Sequence, residues 1–535
     1  MITLLWAHAK LIIFFLNFMF STANRVIKNT GFLYAKMGIT MFISLYTTRL
    51  ILNSLGASDF GIFNIVGGAI AMLGFLNAAM ASATQRFMSY SEGEGNKEKQ
   101  KSIFNVSFVL HLGISFVVGI ALLIAGYFFF NGILNIPDDR IFAAKVVYGS
   151  LIVSTMFTVM TVPYDAAMNA HENMKYYAII GIFESFLKLA VAFACVYTTF
   201  DKLIVYGSLM ACIPLITLTI MRVYCHRHYE ECVIAPRTYW NKGLMKEMTS
   251  FAGWNFFSSM SGIVTQYGLG IVINHFFGVL LNAAQGIANQ VSGVLMTFSQ
   301  NALKALNPII VKSEGANNHQ RLIYTTLLGC RISFTIFGLF SFPILFYMPQ
   351  ILQLWLDEVP EWAVVFCRLQ LIRILLEQLT LSLGSAISAH GVIRNHTLSR
   401  SILNICPLII LPVLFYYQFP PYWLYIVWIS CWSVFGGIVN LYYSIKLIQL
   451  PLQTYVKDVF IPCIAISIIL IFAWTGMIFI QQMLPIGDNY YITFTNILFI
   501  VLIYLYLAWR TILKPDEREI TLSIIKSTFC RLFKK

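Results

Sequence analysis

Charge is what this chain has least of. Asp, Glu, Lys and Arg make up 11% of its 535 residues, where a water-soluble domain carries about 25%. That deficit excludes a globule covered by water. The ten cysteines form no CxxC pair, which excludes a zinc ribbon and a disulfide framework; they read as free thiols. No HExxH, nucleophile elbow or Walker motif occurs. ATP hydrolysis by this chain is therefore not expected, and neither is a resident cofactor or metal. Alternating ten-residue strands are also lacking, which argues against an outer-membrane barrel.

What is abundant is hydrocarbon. The chain is 58% hydrophobic, with mean hydropathy +0.75. Several apolar runs reach the ~20 residues that cross ~30 Å of lipid as a helix. Helices are predicted at 31–53, 62–90, 104–129, 143–166, 178–198 and 203–223. A second set is predicted at 251–274, 282–310, 326–349, 364–389, 400–418 and 423–445, with two more at 457–482 and 491–512. The opening residues are harder to place. Lys10 precedes the apolar run Leu11 to Phe20 and Ser21-Thr22-Ala23 follows. The run is short for a span, so it reads as an interfacial stretch or an upstream extension.

An internal echo organises the rest. Gly31-Phe32 recurs as Gly253-Trp254, Gly56 as Gly278, and Ser91-Glu92-Gly93 as Ser313-Glu314-Gly315, each at a spacing of 222. With small gaps, Ile136-Pro137 matches Val359-Pro360 and Ala170-His171 matches Ala389-His390. The repeat unit holds six helices, an even number, so both copies enter the membrane in the same direction. The expected fold is an all-α membrane protein of about 14 spans: two parallel six-helix bundles and two C-terminal helices. The expected domains are an N-terminal extension (1–23), an N-lobe (24–223), a linker (224–250), a C-lobe (251–445), the extra helices (446–512) and a basic tail (513–535). Gly67-Gly68, Pro163, Pro214, Pro308, Pro343, Pro407 and Pro412 punctuate the spans, as bends or as hinges.

The net charge of +13 is read through its distribution. One set of alternate loops is basic: Lys97, Lys99 and Lys101; Lys175; Arg222 to Lys246; Lys312 and Arg321; Arg394 and Arg400; Lys446 and Lys457; the tail from Lys514 to Lys535. The opposite set holds Asp59, Asp138, Asp139, Asp357, Glu358, Glu361 and Asp488, with little base beyond Arg140 and Lys202. By the positive-inside rule the basic loops and both termini are cytoplasmic. The charge thus reports topology, and nucleic acid is not an expected partner.

Ionisable groups within spans are costly and are functional candidates by default. They are Arg49, Arg86, Asp165, Glu184, Lys188, Lys304, Arg331, Arg368, Arg373 and Glu377. Lys188 and Arg373 sit nearest mid-membrane. Arg86, Lys304 and Arg331 lie near the cytoplasmic ends, where long side chains reach the headgroups. Arg49 and Arg368 lie toward the outer ends. Glu184–Lys188 and Arg373–Glu377 are spaced i,i+4, beside one another on a helix face. Such pairs neutralise each other or act as switches in which a substrate phosphate competes for the base. Without the pairs the interior remains positive, which suits a phosphate headgroup. The segment Cys225 to Cys232, with His226 and His228, fits no zinc template well.

Several stretches carry a family resemblance: Leu45-Tyr46-Thr47-Thr48-Arg49, Asp59-Phe60-Gly61, Ala83-Thr84-Gln85-Arg86-Phe87, Asn135-Ile136-Pro137, Val162-Pro163-Tyr164-Asp165-Ala166-Ala167, Ala170-His171-Glu172, and Glu247-Met248 through Asn255. Over about residues 24–512 the chain resembles O-antigen and capsular polysaccharide flippases of the multidrug/oligosaccharidyl-lipid/polysaccharide exporter superfamily. The resemblance implies a V-shaped pair of lobes, shared with multidrug and toxic-compound extruders. It implies export of a polyprenyl-pyrophosphate-linked oligosaccharide across the bacterial inner membrane. On that reading Arg373, Lys188, Arg368, Arg49, Arg331, Lys304 and Arg86 contact substrate, and Glu184, Glu377 and Asp165 couple or switch. Proton, sodium or membrane-potential drive stays open, and polymerase machinery is an expected neighbour. The alternatives are a drug or cation antiporter on the same fold and a membrane-embedded polymerase or ligase.

The loop asymmetry generates a test. Single-cysteine labelling should place residues near 95, 240, 317 and 525 in the cytoplasm and those near 58, 138, 358 and 487 outside. External labelling at 240 would contradict the parallel repeat.

Overall fold

The computed structural model describes residues 2–71, 74–133, 136–356, 358–483, 490–515 and 517–519. Asn135, Asp357, residues 484–489 with Asp488, and the basic tail from 520 onward lie outside the described residues, as does the labelling position near 525.

Helices succeed one another along the chain. They are α1 Ile2–Ala71, α2 Gly74–Glu94, α3 Lys97–Phe128, α4 Ile141–Ala170, α5 Met174–Tyr197 and α6 Lys202–His228. Then follow α7 Lys242–Phe277, α8 Val279–Gly315, α9 His319–Phe346, the short α10 Met348–Trp355, α11 Ala363–Gln378, α12 Leu381–His390 and α13 Arg394–Tyr416. The last three are α14 Trp423–Ile448, α15 Leu452–Gln481 and α16 Tyr490–Leu507. Among the described residues ten helices are long and apolar enough to cross a membrane. Among the described residues every predicted span corresponds to helix, and the fold is all-α.

The boundaries differ where backbone geometry overrides the apolar pattern. The loop predicted between 53 and 62 is a single break: α1 stays helical on both sides of Gly56, which adopts φ 78° and ψ 168°. That conformation is essentially reserved for glycine. The opening residues, read as a separate stretch, continue without interruption into α1. The span predicted at 364–389 is two helices, α11 and α12, parted at Leu379–Thr380. No proline causes this break. It persists because its carbonyls have other donors: the Tyr455 hydroxyl donates to the Leu379 carbonyl (3.2 Å) and Asn440 Nδ2 to the Thr380 carbonyl (3.4 Å).

The backbone repeats with the sequence. Left-handed φ angles occur at Gly56 (78°) and Gly278 (79°), and at Gly95 (70°) and Asn317 (52°). Both pairs are 222 apart. Glu172 (56°) and Gly391 (93°) follow the two copies of Ala-His. Glycine adopts such angles at no steric cost, and asparagine tolerates them.

The chain divides into two compact units. One comprises residues 32–259 and 311–318, and the other 1–31, 260–310 and 319–535. In the first, α4 packs against α6, α3 and α2. Val147 meets Gly207, and the Tyr148 ring covers Gly126 while its hydroxyl donates to the Leu122 carbonyl (2.7 Å). Small residues let helix backbones approach where lipid supplies no hydrophobic drive between helices. In the second unit α9 packs on α12, with Gly329 against Ser382, and on α16, where Gly338 faces Tyr504. The Tyr504 hydroxyl donates to the Thr335 carbonyl (2.9 Å).

Candidate functional site

Within the second unit, α11 turns three polar side chains to one face. Gln370, Arg373 and Glu377 are spaced by three and four, which stacks them on a helix surface. Arg373 Nε donates to Gln370 Oε1 (3.0 Å) and its Nη1 to Glu377 Oε2 (3.2 Å). Gln370 Nε2 reaches Ser292 Oγ (3.3 Å) and Asn289 Oδ1 (3.4 Å) on α8. The guanidinium is buried, 4.6 Å from the Trp428 ring centroid and 5.8 Å from that of Trp432.

The facing element is not regular helix. Residues Ile429–Phe435 of α14 form a π-helical turn, a geometry frequent at functional sites. Two groups of the turn bond to the cluster. Ser433 Oγ donates to the Arg373 carbonyl (2.8 Å), and Arg400 Nη1, from α13, donates to the Trp432 carbonyl (3.0 Å). The Arg400 guanidinium sits 5.6 Å from the Trp432 ring centroid. A side chain at Gly436 would overlap it. Two guanidinium groups thus share one indole, with Glu377 the acid within Coulombic range of both. The cluster keeps a formal charge of +1. It stands beside the α11–α12 break, and interrupted helices are where transporter sites are built.

The other sequence candidates are dispersed. Arg368 donates to the carbonyls of Leu345 (3.0 Å) and Phe346 (3.2 Å), capping α9. Arg331 is buried and paired with Glu517, at 2.7 Å from Nη2 and 3.0 Å from Nη1, and it donates to the Ile512 carbonyl (2.8 Å). Lys304 is half-buried on α8 and Arg49 is exposed on α1. Lys188 and Glu184 form their i,i+4 pair at 2.7 Å, with side chains 43% and 39% exposed. Arg86 is half-buried among the rings of Phe87, Tyr90 and Phe251, at 4.6, 4.8 and 5.6 Å.

Sequence reasoning missed two cations. Arg400 was assigned to a basic loop, yet α13 begins at Arg394 and carries Arg400 inside. Lys36 lies in the first predicted span, and its presence there was signal enough. Its stem crosses Gly181, its ammonium lies 4.2 Å from the Tyr177 centroid, and Asp165 and Glu184 act on the same tyrosine electrostatically.

At the end of the first unit that carries the basic loops, His171 Nε2 donates to Glu231 Oε1 (2.5 Å), with Tyr229 stacked on the imidazole at 4.2 Å. Burial pushes the Glu231 carboxyl up. The hydrogen bond from His171, a backbone N–H and the charges of His171 and Lys97 outweigh it and hold the group below the ordinary carboxylate range. At the opposite end Arg140 bridges Asp59 and Asp201. Burial raises Asp201, while the Arg140 bond and the Ile204 N–H bring it below its usual value. Cys225 and Cys232 are buried, and the Cys225 thiol donates to the Tyr164 carbonyl (3.8 Å).

The MatE family model matches residues 35–194. No curated protein sequence matches the chain significantly. Solved structures do. A MATE transporter in its bent conformation is 14% identical with TM-score 0.69, covering 82% of this chain and 98% of its own. A multidrug resistance MATE transporter of the MOP superfamily in an outward-facing conformation is 14% identical (TM-score 0.64; 80% and 96%). A MOP superfamily transporter from Pyrococcus furiosus, described by a reversed polarity of its binding pocket, is 13% identical (TM-score 0.65; 80% and 97%). The fold is that of MATE transporters, in a multi-pass membrane chain.

The Arg331–Glu517 pair yields a stability test. Glu517→Gln leaves a buried guanidinium uncompensated, so it should cost about 3–5 kcal/mol, whereas replacing both partners by Leu should be near neutral. Thermal unfolding in detergent compares the two.

Proposed function

We propose that this protein is a flippase of the bacterial inner membrane. It moves a polyprenyl-pyrophosphate-linked oligosaccharide outward for O-antigen, capsule or exopolysaccharide assembly. The observation that carries the reading is the residual positive charge of the Arg373–Glu377–Arg400 cluster beside a broken helix. Planar guanidinium forks bind two phosphate oxygens at once, and a water-poor setting strengthens the attraction. The exchange is a partner swap. A pyrophosphate oxygen replaces Glu377 on Arg373, and the indoles of Trp428 and Trp432 hold the guanidinium plane in place meanwhile.

The fold does not fix the substrate. Its neighbours include a multidrug resistance transporter and one whose pocket polarity is described as reversed and as suggesting a different function. A drug or cation antiporter is therefore the second reading. It is favoured by Glu377 and by the half-buried Glu184, which would attract cations if their bases swung away. A polymerase or ligase is the reading of another class. Drive for the flippase comes from a proton, a sodium ion or the potential. An inside-negative potential favours outward movement of an anionic headgroup by ~2.3 kcal/mol per charge per 100 mV.

Arg373→Ala and Lys188→Ala should each abolish surface polysaccharide while protein remains in the membrane. Glu377→Gln, which frees a base, should be milder. Normal surface glycan in both alanine variants at normal protein level places the site elsewhere. Lost drug resistance with unchanged glycan favours the antiporter.

A further inference from the structure

The two copies of Ser-Glu-Gly meet each other. A methyl group on Gly93 would overlap the Lys312 carbonyl, and one on Gly315 would overlap the Tyr90 carbonyl. Lys312 and Tyr90 are themselves repeat equivalents, 222 apart, as are the two glycines. The C-terminal turns of α2 and α8 therefore cross backbone to backbone, in an arrangement that exchanging the two repeats leaves unchanged. Glycine is required at both positions because only a missing Cβ permits so close an approach.

Each helix end is finished the same way. Gly95 N–H donates to the Glu92 carbonyl (3.2 Å) and Asn96 N–H to that of Ser91 (3.3 Å). Asn317 N–H donates to Glu314 (2.9 Å) and Asn318 N–H to Ser313 (2.9 Å). These are paired Schellman caps, which satisfy the last carbonyls and turn the chain away at once. Ser91 and Ser313 are buried at the crossing.

The crossing is clipped from one side by two consecutive residues after α4. His171 Nδ1 lies 3.4 Å from Glu92 Oε1, on α2. Glu172 Oε1 accepts from Lys312 Nζ at 3.1 Å, on α8. Glu172 makes this contact from a left-handed conformation (φ 56°), uncommon and strained for glutamate. Other charges face the clip. Lys97 lies 3.1 Å from Glu92 and 4.0 Å from Glu231, and Glu231 holds the far nitrogen of His171. A permanent joint needs neither a strained residue nor ion pairs that release one helix end at a time.

We infer that the reciprocal Ser-Glu-Gly crossing is the closed state of a gate, opened by parting the ends of α2 and α8 and clipped shut by His171 and Glu172. It assumes that the protein transports by alternating access, not any particular substrate. Opening requires the loss of the two backbone contacts and of the Glu172–Lys312 ion pair, while His171 stays beside Glu92. The helices themselves need not unfold. The separation is therefore a local event, distinct from global unfolding.

Cysteine reactivity separates the two. In Ser313→Cys, labelling by a maleimide is followed by mass spectrometry, with the fully buried native Cys330 and Cys225 as clocks for global unfolding. The thiol introduced at position 313 should react at least about tenfold faster than either clock, as a local opening does. Adding Gly93→Ala, whose methyl prevents closure, should speed the introduced thiol further and leave Cys330 unchanged. Lys312→Gln, which removes the Glu172 clip without adding bulk, should do the same more mildly. An introduced thiol no faster than Cys330 would overturn the gate. So would variants that accelerate all three thiols together, because that reports general loosening. A wrong substrate assignment leaves these rates untouched, so the two failures are distinguishable.

Discussion

A charge carried into hydrocarbon must find a partner. Insertion of an unpaired base or acid at mid-membrane costs at least ~2.5–3.5 kcal/mol, and several features of this structure answer that cost. Arg331 is held by Glu517 and a carbonyl. Arg368 spends its donors on the last carbonyls of α9. Arg373 has an acid, an amide and two indoles around it. What distinguishes Arg373 from Arg331 is incomplete compensation: Arg400 adds a second cation against the single Glu377. Arg331 is matched by the Glu517 carboxylate, which also accepts from the Tyr324 hydroxyl and the Lys514 N–H, whereas Arg373 and Arg400 have Glu377 between them.

The same accounting applies to the backbone. A carbonyl freed inside a membrane needs a new donor, and the breaks occur where one is present. Tyr455 and Asn440 supply the α11–α12 break, and Asn440 in turn is held by His396 (2.8 Å). Arg400 uses the carbonyl of Trp432, in the π turn. Irregular backbone and intramembrane charged side chains thus coincide for one reason: both are tolerated only where polar partners already exist. At the Ser-Glu-Gly crossing the reason differs. There the backbones touch because two glycines allow it, and the duplication places both in register.

The duplication, the helical class and the spans were legible in the sequence, because lipid imposes length and apolarity on every crossing. The echo reported real structure: positive-φ positions recur with it, including a Gly-to-Asn exchange that preserves the cap at 95 and 317. The i,i+4 pairs at 184–188 and 373–377 were legible because local spacing fixes them. Long-range pairing was not. Nothing near Arg331 announces Glu517, 186 residues on, so the sequence counted Arg331 as surplus positive charge. Arg400 was hidden by an uncertain helix boundary, and the π turn has no composition of its own. The Leu379–Thr380 break also lacked the proline or glycine that would have marked it.

The central claim is that an incompletely neutralised guanidinium pair recognises a lipid-linked pyrophosphate. Purified protein in proteoliposomes tests it directly, with a fluorescent polyprenyl-pyrophosphate oligosaccharide placed in one leaflet and its appearance in the other followed by impermeant quenching. The account predicts protein-dependent translocation that inorganic pyrophosphate inhibits and that Arg400→Gln slows. Translocation indifferent to both, or selective transport of a cationic drug in its place, would contradict it.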